Sequence, residues 1–455
     1  MSAQTYLRLD RLLLRNFRCF AECAIDLHPE LVVLVAENGR GKTAILDAMR
    51  IALGLFVDNV AGTHQSGGFE RTDVRLVPGD NSGMVAALPT EFEAEGHVSG
   101  QTLRWSRALK SYGPSPRSTT KDAKDLCNIA VQLRESFAAT EDGGSLILPL
   151  VAVYGTGRLW AELGQNKGKR TFDKSTGKRL DGYADCLSLT SSFKGLVNWF
   201  ETRANEIRDS RFSTDNPKNL LLLAAVGEAT QQVLEPTGWR GLHWDYETKS
   251  LVVEHRDQGH LPLSVLSDGI RNTIALVADI ARRCAILNPR LGAEVARQTP
   301  GVLLIDEVDM HLHPSWQQLV VDLFRKAFPM LQIIMSTHSP HVLSTVDRSA
   351  IRVISVAGRG RGLVTTPTIQ TRGVESADVL ATIMKVDAEP PIDEAVWLRQ
   401  YRALIEDGKS ESPKALAFRE KLIAHFGKTH PVMLDCERLV RFQNFKIKRN
   451  HPEGQ

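Results

Sequence analysis

The chain has 455 residues, 42% of them hydrophobic and 24% charged, with a formal net charge of +3. That length supplies two to three domains' worth of material and a large core, and so small a charge does not by itself imply a nucleic-acid partner. No stretch of about 18 uninterrupted apolar residues occurs, so no membrane-spanning helix is expected. The charged start (Arg8, Asp10, Arg11, Arg15) is unlike a secretion signal. Six cysteines, none in a C-x-x-C pair, point away from a disulfide framework and a zinc site, and toward a reducing cytoplasm.

Leu7–Phe17 and Cys23–Leu27 read as two strands joined by a turn near Arg18–Glu22. The apolar run Leu31–Val35 is expected as a buried strand, and a helix is expected over Ala44–Val57. Between them lies Ala36-Glu37-Asn38-Gly39-Arg40-Gly41-Lys42-Thr43. Strand, glycine loop and helix form the context of a phosphate-binding loop. Gly39 and Gly41 let successive amides turn inward toward an anion at the helix N-terminus. Asn38 and Arg40 lie within the same loop. Lys42 would reach the β- and γ-phosphates, and the Thr43 hydroxyl would ligate Mg²⁺. Ala36 replaces the glycine that opens this pattern, which is tolerable if its φ stays negative.

Asp58–Gly68 reads as a loop. Arg71–Val77, Gly83–Leu88, Glu91–Val98 and Thr102–Ala108 alternate between turn residues and are expected as an antiparallel meander. A loop over Lys110–Thr120, a helix over Asp122–Ala138 and a core strand over Leu146–Tyr154 follow. Gly155-Thr156-Gly157-Arg158 then enters a basic, glycine-dotted stretch with Lys167, Lys169, Arg170, Lys174, Lys178 and Arg179. This stretch reads first as a solvated loop, with a nucleic-acid or partner contact as the alternative; Arg158 could reach a nucleotide. Helices over Leu187–Ile207 and Pro217–Leu234 and a hairpin of Leu242–Tyr246 with Ser250–His255 complete an inserted subdomain. Sustained heptads are absent, so long coiled-coil arms are not expected.

Ser267-Asp268-Gly269 opens an amphipathic helix, Asn272–Leu287, with Ser267 as N-cap and Gly269 permitting close backbone approach. Gly301–Ile305 is an apolar strand ending in Asp306 and Glu307. Buried acids need a charge partner; Asp306 would hold Mg²⁺ through water and Glu307 would orient the attacking water. His311 and His313 lack a third ligand and read as a dimer contact. A helix over Leu319–Phe328 and a strand over Leu331–Ser336 lead to His338, placed to hydrogen-bond a γ-phosphate.

Together, the phosphate loop, Ser-x-Gly turn, strand-Asp-Glu and strand-His resemble the ABC-type ATPase head of the SMC, RecF and overcoming-lysogenization-defect group, over about Leu7–Ser344. The resemblance implies an α/β fold with a mixed sheet, an inserted antiparallel β and helical subdomain, and a helical C-terminal tail. The implied ligands are ATP and Mg²⁺. It places cofactor contacts at Asn38–Thr43 and at Ser267, Asp268 and Gly269, metal contacts at Thr43 and Asp306, and catalysis at Glu307 and His338. It also implies a head-to-tail homodimer, with ATP between one phosphate loop and the partner's Ser-x-Gly turn. Two departures, His313 where a D-loop Asp is usual and no clear Q-loop glutamine near Leu146–Gly157, bear on turnover more than on binding.

Expected boundaries are 1–70 for the first ATPase lobe, 71–260 for the insertion, 261–350 for the second lobe and 351–455 for a helical partner-docking region. Beyond residue 350, Gly373–Leu380, a Pro390-Pro391 break, helices over Glu394–Asp407 and Ser412–Phe426, and His430–Arg438 are similar to the PtuA family. Its members are ATPase subunits of Septu anti-phage systems and related retron defence systems, and the resemblance implies a separate HNH nuclease, PtuB-like, as partner. Neither a Toprim nuclease domain nor an HNH-type cluster is expected in this tail. Arg441–Arg449 interleaves Phe442 and Phe445 with cations; a frayed end or partner segment is expected there first, with DNA or RNA, phage- or retron-derived, as the alternative. The rival reading of the whole is a RecF-like or SMC-like DNA-repair ATPase.

Overall fold

A computed structural model of the chain describes residues 7–63, 68–79, 83–112, 118–139, 146–158, 178–189, 193–209, 216–387 and 389–450. It divides into two compact units, Met1–Val379 and Leu380–Gln455.

The first unit opens with β1 (Leu7–Phe17) and β2 (Phe20–Asp26), an antiparallel pair in which Phe17 faces Phe20. The turn is tighter than expected, because Arg18 takes a left-handed φ of 49°. Its guanidinium is held by Asp47 at 2.7 Å and Asp73 at 2.8 Å. β3 (Leu31–Val35) is buried at every residue, and α1 (Lys42–Ala61) runs past the expected end at Val57 to stop on Gly62 at φ 66°.

The expected meander does not stand apart as a subdomain. Arg71–Asp73 is a short 3-10 turn, and β4 (Leu76–Pro78) pairs with β5 (Met84–Ala86) alone. β6 (Thr90–Val98), β7 (Gln101–Leu109) and β8 (Ser118–Thr119) instead extend the main sheet from β1. The physical reason is a shared buried face: Leu9, Leu12 and Leu14 of β1 and Phe92, Ala94 and Val98 of β6 all point inward. α2 (Lys124–Ala138) follows, then β9 (Leu150–Tyr154), α3 (Phe193–Arg208) and α4 (Asn216–Leu234). The expected hairpin gains a strand: β10 (Trp239–Asp245), β11 (Ser250–His255) and β12 (Gly259–Pro262) form a three-stranded sheet.

Next come α5 (Asp268–Leu287), α6 (Val295–Gln298), β13 (Gly301–Ile305), α7 (Pro314–Gln317), α8 (Val320–Ala327), β14 (Leu331–Ser336) and α9 (Pro340–Leu343). β15 (Ile351–Ala357) and β16 (Arg361–Thr365) lie within the stretch expected as a helical tail, yet both join the main sheet, with Ile351 and Ile354 buried. The first unit thus extends to Val379, through most of α10 (Ser376–Thr382). The eleven strands run in the order β8-β7-β6-β1-β2-β16-β15-β3-β14-β13-β9, with β15, β3, β14, β13 and β9 mutually parallel. Ligands bind such parallel cores beyond the carboxyl ends of the strands.

A buried polar network ties α5 to this core. The Tyr154 hydroxyl donates to Asp279 Oδ2 at 2.7 Å, and Arg283 donates to the same oxygen at 2.9 Å and to the Ala184 carbonyl at 2.7 Å. Burial alone would raise the Asp279 carboxyl. The Arg282 and Arg283 charges and the Tyr154 hydroxyl outweigh it and hold the group well below the usual carboxylate range.

The second unit is three helices, α11 (Asp393–Glu406), α12 (Pro413–Phe426) and α13 (Pro431–Asn450), around Tyr401, Ile405, Ala415, Leu422, Met433 and Cys436. No helix among the described residues is long and apolar enough to cross a membrane.

Candidate nucleotide-binding site

The carboxyl ends of β3, β14 and β13 carry the three chemical motifs, with β14 between the other two. The loop after β3 turns at Gly39 and Gly41, with φ 73° and 96°. A Cβ on Gly41 would lie 2.3 Å from the Phe20 ring, so only glycine fits beneath the β1–β2 turn. Ala36 is not among the residues of positive φ, which is why it can stand where glycine is usual. Lys42 is buried, and its ammonium donates to the Ala36 carbonyl at 3.0 Å. Burial lowers the Lys42 pKa from its ordinary value against the pull of Asp306, Glu307 and Asp309. Arg40 is exposed and pairs with Glu37 at 3.1 Å; Asn38 is also exposed.

Thr43 Oγ1 donates to Asp306 Oδ2 at 2.9 Å, closing the site between α1 and β13. Ser336 Oγ donates to the other carboxylate oxygen, Asp306 Oδ1, at 2.5 Å, and accepts from the Glu307 N–H at 2.8 Å. Glu307 sits at φ 46°, a conformation that a non-glycine residue keeps only when its surroundings over-determine it. His338 lies beyond β14. Burial first, then the Lys42 charge, lower its pKa below the ordinary histidine value, so the imidazole is neutral near pH 7. The converging hydroxyl and carboxylate are hard oxygen donors, and they fit Mg²⁺.

Two residues that sequence reasoning passed over complete the arrangement. Ser336 is one. Asp309 is the other: its Oδ1 accepts from Thr337 Oγ1 at 2.6 Å and from the His338 N–H at 3.4 Å. Thr337 Oγ1 in turn accepts from Ser339 N at 2.9 Å, and Ser339 Oγ donates to Gln317 Oε1 at 2.6 Å. The polar run Ser336-Thr337-His338-Ser339 at the end of an apolar strand was the available signal. Asp309→Ala is expected to lower ATP turnover about tenfold with ATP affinity kept, and Asp309→Asn, which keeps an acceptor, to restore most of it, as read by phosphate release.

Ser267, Asp268 and Gly269 stand elsewhere. Ser267 occupies the N-cap position of α5 but makes no side-chain capping bond, contrary to expectation, and Asp268 pairs with Arg271. Among the described contacts, none joins this turn to the phosphate loop. It packs on the loop after Glu307: a Cβ on Gly269 would lie 2.2 Å from the His311 carbonyl oxygen. A compatible Gly→Ala change stabilises by about 0.4–1 kcal/mol. Here the clash reverses the sign, and Gly269→Ala is expected to cost about 1–3 kcal/mol in urea unfolding.

His313 caps α7 by accepting from the Ser315 N–H at 3.3 Å, and His311 has a left-handed φ of 62°. Arg179, expected in an exposed basic loop, is buried and donates to the Leu287 and Leu146 carbonyls, each at 2.7 Å. Lys167, Lys169, Arg170 and Lys174, and the side chains of Arg158 and Lys178, lie outside the described residues. Among the described residues, no cluster of three or more His, Cys, Asp or Glu is placed to hold a metal ion by itself.

Residues 193–344 match a family model described as AAA domain, putative AbiEii toxin, Type IV TA system, and residues 11–211 match a second AAA domain model. The chain is 25% identical to the Retron Vc95 probable ATPase of Vibrio cholerae serotype O1 biovar El Tor, over 92% of this chain and 88% of that one. It is 27% identical to the Retron Ec83 probable ATPase of Escherichia coli, over 95% of this chain and 86% of that one. Septu protein PtuA of Bacillus thuringiensis is 30% identical over 107 residues, 24% of this chain and 26% of that protein. Among solved structures, the SMC head domain from Thermotoga maritima aligns over 80% of this chain and all of its own, at 17% identity and a TM-score of 0.44. The chain therefore matches AAA domain models between residues 11 and 344 and is similar over nearly its whole length to two retron probable ATPases.

Proposed function

We propose that this chain is a Mg²⁺-dependent ATPase that acts as the regulatory subunit of an anti-phage defence complex and controls a separate HNH nuclease of the PtuB type. The observation that carries the ATPase reading is the hydrogen-bonded chain Thr43–Asp306–Ser336–Glu307 at the ends of three adjacent strands. The similarity to retron probable ATPases and to Septu protein PtuA supports the defence setting.

Amides around Gly39 and Gly41 and the start of α1 would receive the phosphates. Lys42 would exchange the Ala36 carbonyl for a phosphate oxygen. Thr43 and Asp306 would hold Mg²⁺, which on binding supplies neutralisation of phosphate charge. Glu307 would orient and deprotonate the attacking water, and neutral His338 would hydrogen-bond the terminal phosphate. Ser267–Gly269, which among the described contacts makes none with its own phosphate loop, would cover the nucleotide of a second copy in a head-to-tail dimer. ATP then contributes contacts to both copies only when they close, and closure shifts the nuclease-facing surface by that differential binding energy.

The test is purification of the chain alone and with the HNH nuclease. Alone it should hydrolyse ATP and cut no nucleic acid; cutting by the lone chain that survives Lys42→Ala would sink the reading.

A further inference from the structure

α13 is longer than the bundle it closes. Met433 and Cys436 are buried in the three-helix core, and Leu439 and Val440 pack against it. Beyond them Arg441, Phe442, Asn444, Phe445 and Lys446 are exposed, Phe442 at 57% and Phe445 at 65%. The helix nevertheless continues to Asn450. A helical extension without a packed face is marginal in water. Phe442 and Phe445 are three residues apart and share a face, and the Lys446 ammonium lies 5.4 Å from the Phe442 ring centre. Over residues 441–450 the sequence carries Arg441, Lys446, Lys448 and Arg449 and no carboxylate, while Arg438 before them is paired with Asp435 at 3.0 Å.

We propose that this overhang binds single-stranded nucleic acid. Unpaired bases offer flat apolar faces to the two phenyl rings, and phosphodiester anions pair with the flanking cations. That combination holds single strands with little regard to sequence. An apolar protein partner would leave the cations desolvated and unpaired. A duplex hides its base faces, so the rings would gain nothing from it. The surface lies on the second unit and does not draw on the ATPase reading.

Fluorescence anisotropy of the full chain with labelled oligothymidylate of about 20 nucleotides tests this, alongside a duplex of equal length. The single strand is expected to bind about tenfold tighter than the duplex. Phe442→Leu with Phe445→Leu keeps the helix and its apolar area, checked by circular dichroism, and is expected to weaken binding about tenfold by removing the stacking faces. Arg441→Gln with Lys446→Gln should lower the slope of log affinity against log salt by about 1.4, at about 0.7 per phosphate contact. Lys42→Ala should leave all of this unchanged, which separates the proposal from the ATPase reading. Equal affinity for duplex, unchanged affinity in the leucine variant, or binding to phosphatidylserine vesicles in place of the oligonucleotide would each overturn it.

Discussion

Glu307→Gln should lower ATP turnover by about a hundred- to ten-thousand-fold, the range a positioned general base contributes, while ATP stays bound. Glutamine keeps the shape, so the Ser336 contact to the backbone N–H at position 307 and the 3.1 Å bond from Met310 N to the carbonyl at 307 both survive. What is removed is the proposed ability to take a proton from water. Steady-state phosphate release and retention of labelled ATP on a filter separate the two effects. Lys42→Ala is the opposite case: it removes the cation proposed to meet the phosphates, and retention itself should vanish. Unchanged hydrolysis in Glu307→Gln would assign water activation to another residue.

Asp279→Asn should destabilise the first unit by about 3–5 kcal/mol, because Arg283 is then left buried without its anion. Arg283 is 5% exposed and donates to Asp279 at 2.9 Å, so water cannot take over the role. Replacing Asp279 and Arg283 together by apolar residues should cost less than the single change, since no uncompensated charge remains. The pH dependence has a definite sign. A carboxyl whose folded pKa is depressed contributes fully above its unfolded value, about 4, and loses that contribution as pH falls toward the folded one. Urea midpoints of the parent protein should therefore decline below about pH 4, and less steeply in Asp279→Asn.

The parts of the site that sequence reasoning reached are those encoded within a few neighbours. Gly39, Gly41, Lys42 and Thr43 follow a buried strand, and Asp306 and Glu307 end another, so each announces itself locally. His338 was reachable for the same reason. Asp309 was not, because its importance lies in bonds to Thr337 and His338, across two helices and a strand. In the fold, four of the five parallel strands, β3, β9, β13 and β14, were legible as buried strands from their unbroken apolar runs. The pairing of β1 with β6 was not: alternation showed that each was a strand, while their partnership depends on a face completed across 86 intervening chain positions, as in Leu9 opposite Gly96. β15 and β16 were obscured by their half-exposed alternation, and Arg179 by the basic company it keeps in the sequence.

Thr43 and Asp306 touch, yet 263 residues separate them along the chain. At about 5–20 residues per second, a ribosome takes roughly 13–50 s to pass from one to the other. Throughout that interval the nascent polypeptide displays Lys42 and Thr43 without Asp306, and the proposed grip on a magnesium nucleotide would be incomplete. Cellular ATP would consequently favour only finished copies, stabilising each by mass action as translation ends. The energy currency of the cell would then serve this protein as a folding ligand before it serves as a substrate.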